Sequence, residues 1–176
     1  MKRNILVFGL ISGTIVSTLM AISAGVFCST GNMEGGMIYG YASMLLAFAF
    51  VFVGVKNYRD KYNDGLITFG KAFKLGLGIM FIASTMYVIT WMVESHFFFP
   101  DFGEKYAAMV IEQAKASGMG EAELQAQIKE MQSFQELYKN PVMVILFTYM
   151  EIVPPGLLAA LISALVFKRK NKPSAA

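Results

Sequence analysis

The chain has 176 residues, of which 56% are hydrophobic and 15% are charged, whereas about 25% of residues are charged in an average soluble domain. This imbalance excludes an ordinary water-soluble domain and predicts an integral membrane protein. The formal net charge is +3, and the basic residues lie mostly at the ends of apolar segments. We therefore expect them to interact with the lipid bilayer and not with nucleic acid.

Two apolar segments in the first part of the chain are long enough to cross a bilayer. Residues 5–27 are an uncharged stretch of 23 residues, longer than the about 7–15 residues of a signal-peptide core. We therefore expect this segment to be retained as a membrane helix. A short, polar, Gly-rich segment that suits a tight turn leads to a second span, predicted at 37–55.

Two further spans are predicted at 75–93 and 142–167. The last of the four is unusual because its interior contains a carboxylate, Glu151, followed closely by the helix-breaking sequence Pro154-Pro155-Gly156. We expect this span to be bent near its middle.

The segment from about 101 to 139 has the pattern of a helical hairpin. Two amphipathic stretches at helical spacing flank Gly118-Met119-Gly120. The recurring positions are Tyr106, Met109, Val110 and Gln113 or Ala114 in the first, and Leu124, Ile128, Met131, Gln135 and Tyr138 in the second, where Phe134 and Leu137 widen the apolar face. This apolar stripe must pack against its twin and the spans, the membrane surface, or a partner.

The distribution of basic residues predicts the orientation of the chain, because cytoplasmic loops carry the excess of Lys and Arg. Eleven of the fifteen lie at the N-terminus, between 56 and 74, or after 167, and four lie in the hairpin segment. We predict an all-α, polytopic protein of one membrane domain, residues 1–176. It would be a four-transmembrane-helix bundle in a bacterial inner membrane, with both termini cytoplasmic and an extracytoplasmic amphipathic hairpin between spans three and four.

Small residues recur at every fourth position in the first span, and a shorter series appears in the fourth. Such stripes let helices approach closely in lipid, where little hydrophobic drive holds them together. The two series are Gly9, Gly13, Ser17, Ala21 and Gly25, and Gly156, Ala160 and Ala164. They could face each other or mediate a homodimer, and we favour packing within one chain.

Glu151 is the strongest candidate for an intramembrane polar site, since a carboxylate at that depth costs several kcal/mol, about 2.5–3.5 for Asp on insertion scales. Side chains predicted at a similar depth are Ser17, Thr18, Ser84 and Thr85. No Lys or Arg is expected there, so a neutral carboxyl is favoured. Pro154 and Pro155 leave the carbonyls of Met150 and Glu151 without helical donors. The group could bind an ion or proton, or be a hydrogen-bonded structural group at a kink.

Glu94 and His96, at the end of the third span, form a candidate proton-responsive pair, although an interfacial histidine is commonly just solvated. One histidine and the single cysteine, Cys28, make a metal site of the usual ligands improbable and exclude an intrachain disulfide. We find no catalytic motif and expect neither an enzyme nor a cofactor.

Several stretches of the chain resemble the family of domain of unknown function 4199. These are Tyr41-Ala42-Ser43-Met44, residues 52–60, residues 68–74, Pro100-Asp101-Phe102, Glu151-Ile152-Val153-Pro154 and Gly156-Leu157. The resemblance covers nearly the whole chain and implies an integral membrane protein of the Bacteroidota with no assigned activity. The family more usually has valine where this chain has Pro155, and the additional proline would sharpen a kink.

Two functions therefore stand as hypotheses. The first is a small inner-membrane protein that scaffolds or assists a membrane partner, with the hairpin and the small-residue stripes as contact surfaces. The alternative is a proton- or ion-linked transport subunit in which Glu151 is the binding or gating group. The basic stretch from Lys56 to Lys74 is also expected to contact anionic lipid headgroups.

Overall fold

The computed structural model describes residues 1–30 and 36–169, and helices account for most of them. The helices are α1 (Lys2–Thr30), α2 (Gly36–Tyr62), α3 (Phe69–Phe97), α4 (Phe102–Ala116), α5 (Glu121–Tyr138) and α6 (Pro141–Phe167). Within these ranges β-structure is limited to one isolated bridge, between Ile67 and Arg169. The all-α prediction is confirmed. The tight turn predicted between the first two spans falls on residues 31–35, outside the described residues.

Four of the described helices are long and apolar enough to cross a membrane, which confirms the prediction of four candidate spans. They are Lys2–Phe27, Ile38–Tyr62, Phe69–Phe97 and Pro141–Phe167. The second and third are longer than the predicted 37–55 and 75–93. Hydropathy marks the part of a helix that fits in hydrocarbon, whereas backbone hydrogen bonding continues into the polar residues at its ends.

The described residues separate into two compact units. The first unit is drawn from Met1–Thr90 and Tyr149–Ala176, and the second is Trp91–Thr148. The first contains α1, α2 and the parts of α3 and α6 that lie within its bounds. The second contains α4 and α5.

In the first unit, α1 is joined to α2 by two buried hydrogen bonds. The Asn4 side-chain amide donates to the Gly54 carbonyl at 2.6 Å, and the Ser12 hydroxyl donates to the Ala47 carbonyl at 2.8 Å. Interhelical bonds of this kind contribute about 0.6 kcal/mol each in membrane proteins. They fix which face of α1 meets α2.

A second face of α1 packs against α3, and its small residues make the approach possible. A Cβ built on Gly9 would lie 2.8 Å from Ile82 Cβ, and one on Gly13 would lie 2.5 Å from Met86 Sδ. Ile5 stands against Gly78 in the same register. Four residues along α1 thus match four along α3, so the two helices run parallel.

The α1 stripe is not uniform along its length. Gly9 and Gly13 are in close contact with α3, Ser17 is buried, and Ala21 is half-buried. Outside its own helix backbone, no atom of the described residues lies within 4 Å of a Cβ built on Gly25. The spacing of small residues therefore marks a helix contact at one end of the stripe and open space at the other.

The second unit is held together by aromatic side chains. The Trp91 indole donates to the Tyr138 hydroxyl at 2.7 Å, and its ring meets Phe102 edge-on with centroids 4.6 Å apart. The Phe134 ring packs in a tilted orientation against Tyr106 and Tyr138, with centroid distances of 5.6 and 5.1 Å.

The helical hairpin predicted at 101–139 is present as α4 and α5, and the turn between them contains Gly118 at φ +71°. Ala107, Ala114 and Met131 are buried, whereas the predicted stripe residue Leu137 is exposed. At the start of α4, a hydrogen bond from Lys105 lowers the pKa of the Asp101 carboxyl. Of the ten apolar residues in the predicted stripe, two are therefore buried, seven are half-buried and one is exposed.

Candidate functional site in the fourth span

The contact between α3 and α6 is antiparallel and is made possible by glycines on both helices. A Cβ built on Gly76 would lie 3.1 Å from the Ala160 Cα, and one built on Gly156 would meet Met80 of α3 and Phe48 of α2. Four residues forward on α3 correspond to four residues back on α6. Gly156 and Ala160 of the α6 series therefore pack on α3 and α2, and among the described contacts they do not meet the α1 series.

The same register, followed towards the start of α6, brings polar side chains of the two helices to one depth. The Thr85 and Tyr149 hydroxyl oxygens are 3.1 Å apart. Because Thr85 donates its own proton to the Phe81 carbonyl at 2.8 Å, the Tyr149 hydroxyl is the donor between them. We call Thr85, Tyr87, Tyr149 and Glu151 the polar seam.

The second contact of the polar seam is a hydrogen bond between the Tyr87 side chain and the Glu151 carboxyl. Tyr87 is buried, with 6% of its surface exposed. Residues two apart on a helix point about 200° away from each other. The Thr85–Tyr149 and Tyr87–Glu151 contacts therefore lie on different flanks of the α3–α6 contact, at nearly the same depth.

Glu151 is exposed at the surface of the chain although it lies well inside a span. It is ten residues beyond Pro141, about 15 Å along a helix of 27 residues. Exposed residues continue from it along one face of α6 at intervals of three and four. We define the exposed face of α6 by Glu151, Pro154, Leu158, Leu161 and Leu165.

Backbone acceptors accompany the carboxyl. Helix α6 continues through Pro154 and Pro155, neither of which has an amide hydrogen. The carbonyls of Met150 and Glu151 therefore receive no i+4 helical hydrogen bond. When the carboxyl is ionised, its oxygens and the carbonyl oxygens are all hydrogen-bond acceptors. The site can therefore bind a hydrogen-bond donor or a cation.

Thr85 is the one predicted hydroxyl that the structure brings into the polar seam. Ser84 is buried and donates to Met80 Sδ at 3.5 Å, whereas Thr18 is exposed. Ser17 is buried, and its hydroxyl oxygen has no hydrogen-bond partner among the described residues. In the described part of the chain, none of these three hydroxyls is hydrogen-bonded to Glu151.

Tyr87 and Tyr149 were not predicted from the sequence as members of the site. The glycines could have predicted them, because Gly76 and Gly156 mark where the backbones of α3 and α6 approach each other. Counting from those positions in an antiparallel register leads to both tyrosines. An isolated tyrosine in an apolar span carries no such information.

The candidate rim pair falls on two sides of α3. Glu94 is half-buried, and its Oε2 atom has no hydrogen-bond partner among the described residues. His96 is exposed, and its ring meets Phe97 edge-on at a centroid distance of 4.7 Å. No hydrogen bond or ion pair between Glu94 and His96 is found in the described residues.

Comparison with known proteins identifies a family but no characterised relative. The family model described as "Protein of unknown function (DUF4199)" matches residues 7–169. Neither the curated proteins nor the solved structures that were compared gave a match.

Proposed function

Because the chain belongs to the DUF4199 family, whose activity is unknown, we propose a function from the site alone: the protein scaffolds or assists a membrane partner and is not an enzyme. The proposed contact surface is the exposed face of α6. The observation that supports this proposal is the exposure of Glu151 within a span.

The apolar side chains on this face do not indicate whether it contacts lipid or a protein, because leucine suits both equally. Glu151 does distinguish the two. A carboxylate that faces lipid near the middle of a span costs about 2.5–3.5 kcal/mol on insertion scales. Tyr87 offers it one hydrogen bond, and the remaining acceptor sites gain a partner only if another helix covers this face.

The proposal is tested by photocrosslinking in native membranes from a residue on the exposed face. A photoreactive side chain at Leu158 is expected to give a discrete adduct, because Leu158 lies on the same face as Glu151. The adduct should be reduced severalfold in Glu151→Leu, which removes the polar contact and leaves an apolar helix. The matched control is the same photoreactive side chain at Leu45, which is 68% exposed on α2.

Two results would contradict the scaffold proposal. One is the absence of any adduct from position 158, and the other is an adduct that Glu151→Leu leaves unchanged. The mass of the adduct separates a second copy of this chain from a different membrane protein.

We also propose that the protein lies in a bacterial inner membrane with both termini in the cytoplasm and α4 and α5 on the opposite side. The support is the excess of basic residues near both termini and between α2 and α3. In a Cys28→Ala background, Ser133→Cys should react with an impermeant maleimide in right-side-out vesicles. Thr68→Cys should react only after permeabilisation, and the reverse pattern would overturn this topology.

Proton- or ion-linked transport is the second candidate function. It is favoured by the polar seam, whose four oxygen-bearing side chains lie at nearly the same depth, and by the two carbonyls of α6 without helical donors. In proteoliposomes, this function predicts a pH-dependent flux that Glu151→Gln abolishes. Glu104→Gln, an exposed carboxyl of α4, is the control and should retain the flux. Wild-type protein without flux for any tested ion would remove this candidate.

A further inference from the structure

A second polar region of the first unit lies where α6 ends against the connection between α2 and α3. The Ile67 amide donates to the Arg169 carbonyl at 3.0 Å, and the Arg169 amide donates to the Ile67 carbonyl at 2.8 Å. This pair of backbone hydrogen bonds joins segments about 100 residues apart in sequence. It places the end of α6 beside residues 63–68.

Two cations of residues 56–74 are held by aromatic rings and an amide, and one of those rings belongs to α6. The Arg59 guanidinium lies over the Phe167 ring at 5.2 Å from its centroid. The Lys71 ammonium lies over the Tyr58 ring at 5.2 Å and donates to the Asn63 side chain at 2.7 Å. These contacts fix the positions of side chains that would otherwise be mobile on a protein surface.

The charge of this region is strongly positive. We define the basic edge as residues 56–74 and 168–169, which contain seven basic and two acidic side chains. The basic ones are Lys56, Arg59, Lys61, Lys71, Lys74, Lys168 and Arg169. Asp60 pairs with Arg59 at 2.6 Å and also experiences the charges of Lys56 and Arg169, so both segments converge on one carboxylate.

We propose that the basic edge is a binding site for the phosphate of anionic phospholipid headgroups. The positive-inside rule accounts for an excess of charge, but it does not require a backbone bridge that joins distant basic segments. The basic edge adjoins the ends of α2 and α6 and the start of α3, which is the depth of lipid headgroups. Phosphodiester groups at that depth are the anions within reach.

The roles of the basic residues follow from their exposure. Arg59 and Lys71 are half-buried and are held by Phe167 and Tyr58, so they preorganise the site. Lys56, Lys74, Lys168 and Arg169 are exposed and are the groups that contact the headgroup. This site involves no residue of the polar seam, so the lipid proposal is tested independently of the proposed function.

The test is native mass spectrometry of the purified full chain with phosphatidylglycerol and with phosphatidylcholine of the same acyl chains. Wild-type protein is expected to retain phosphatidylglycerol at least tenfold better. Lys74→Gln with Arg169→Gln should lower its retention about fivefold for each charge removed. Lys115→Gln with Lys129→Gln makes the same change in net charge on α4 and α5 and should leave retention unchanged.

The charge-conserving pair Lys74→Arg with Arg169→Lys controls for folding and should retain the lipid. Equal retention of the two lipids by wild-type protein would overturn the proposal. An equal loss in the Lys115 and Lys129 control would also overturn it, because net charge alone would then explain binding. A thermal shift from inorganic phosphate as large as that from phosphatidylglycerol would overturn the assignment to lipid.

Discussion

Gly13→Leu is expected to destabilise the protein by about 2–3 kcal/mol, the upper part of the range for overpacked sites. A Cβ at this position would lie 2.5 Å from Met86 Sδ and 3.2 Å from the Ala83 Cα. The Met86 side chain can rotate away, but the α3 backbone at Ala83 cannot move without separating the two helices. The measurement is the midpoint of unfolding in mixed micelles, followed by Trp91 fluorescence.

The chain supplies a matched control for this substitution. Gly25 belongs to the same predicted stripe on α1, and a Cβ built there would have no atom of another described element within 4 Å. Gly25→Leu makes the same chemical change, and its free energy of unfolding should stay within about 0.5 kcal/mol of wild type. Equal destabilisation by the two substitutions would contradict the α1–α3 packing described above.

Trp91→Ala is expected to destabilise the second unit by about 3–5 kcal/mol, as is typical when a large aromatic side chain is removed from a packed site. Trp91 is 8% exposed, contacts Phe102 edge-on, and donates a hydrogen bond to Tyr138. Its loss removes the aromatic side chain that joins α3 to both ends of the hairpin. Tryptic cleavage at Lys115 and Lys129 should accelerate strongly.

A smaller substitution separates packing from hydrogen bonding at the same place. Tyr138→Phe keeps the ring against Phe134 and removes only the acceptor of the Trp91 hydrogen bond, which should cost about 1 kcal/mol. Cleavage rates of Tyr138→Phe should therefore lie between those of wild type and Trp91→Ala. Rates for Trp91→Ala equal to wild type would show that the hairpin does not depend on this cluster.

The two proposed contact sites of the first unit lie at different depths. Near the middle of α6, an exposed carboxyl lies among apolar residues, and a protein neighbour can give it hydrogen bonds that lipid chains cannot. At the end of the same helix, exposed cations adjoin the apolar spans, where lipid headgroups themselves supply the opposite charge. A single helix thus presents a surface suited to protein and an edge suited to lipid.

The sequence by itself determined the helical membrane architecture. A span of about 20 uncharged apolar residues has no stable alternative to a helix in hydrocarbon, because every backbone polar group must be satisfied internally. The hairpin followed from 3.6-residue periodicity interrupted at Gly118 and Gly120. Glu151 stood out for the same local reason, since a carboxylate inside a span is unfavourable wherever it points.

Only the tertiary structure decided which helices meet and which side chains share a depth. Five small residues on α1 look equivalent in sequence, yet Gly13 is tightly packed and Gly25 faces open space, because contact depends on the neighbouring helix. The register set by Gly76 and Gly156 brought Tyr87 and Tyr149 to Thr85 and Glu151. Periodicity gives a helix its faces, but the crossing of two helices decides what each face meets.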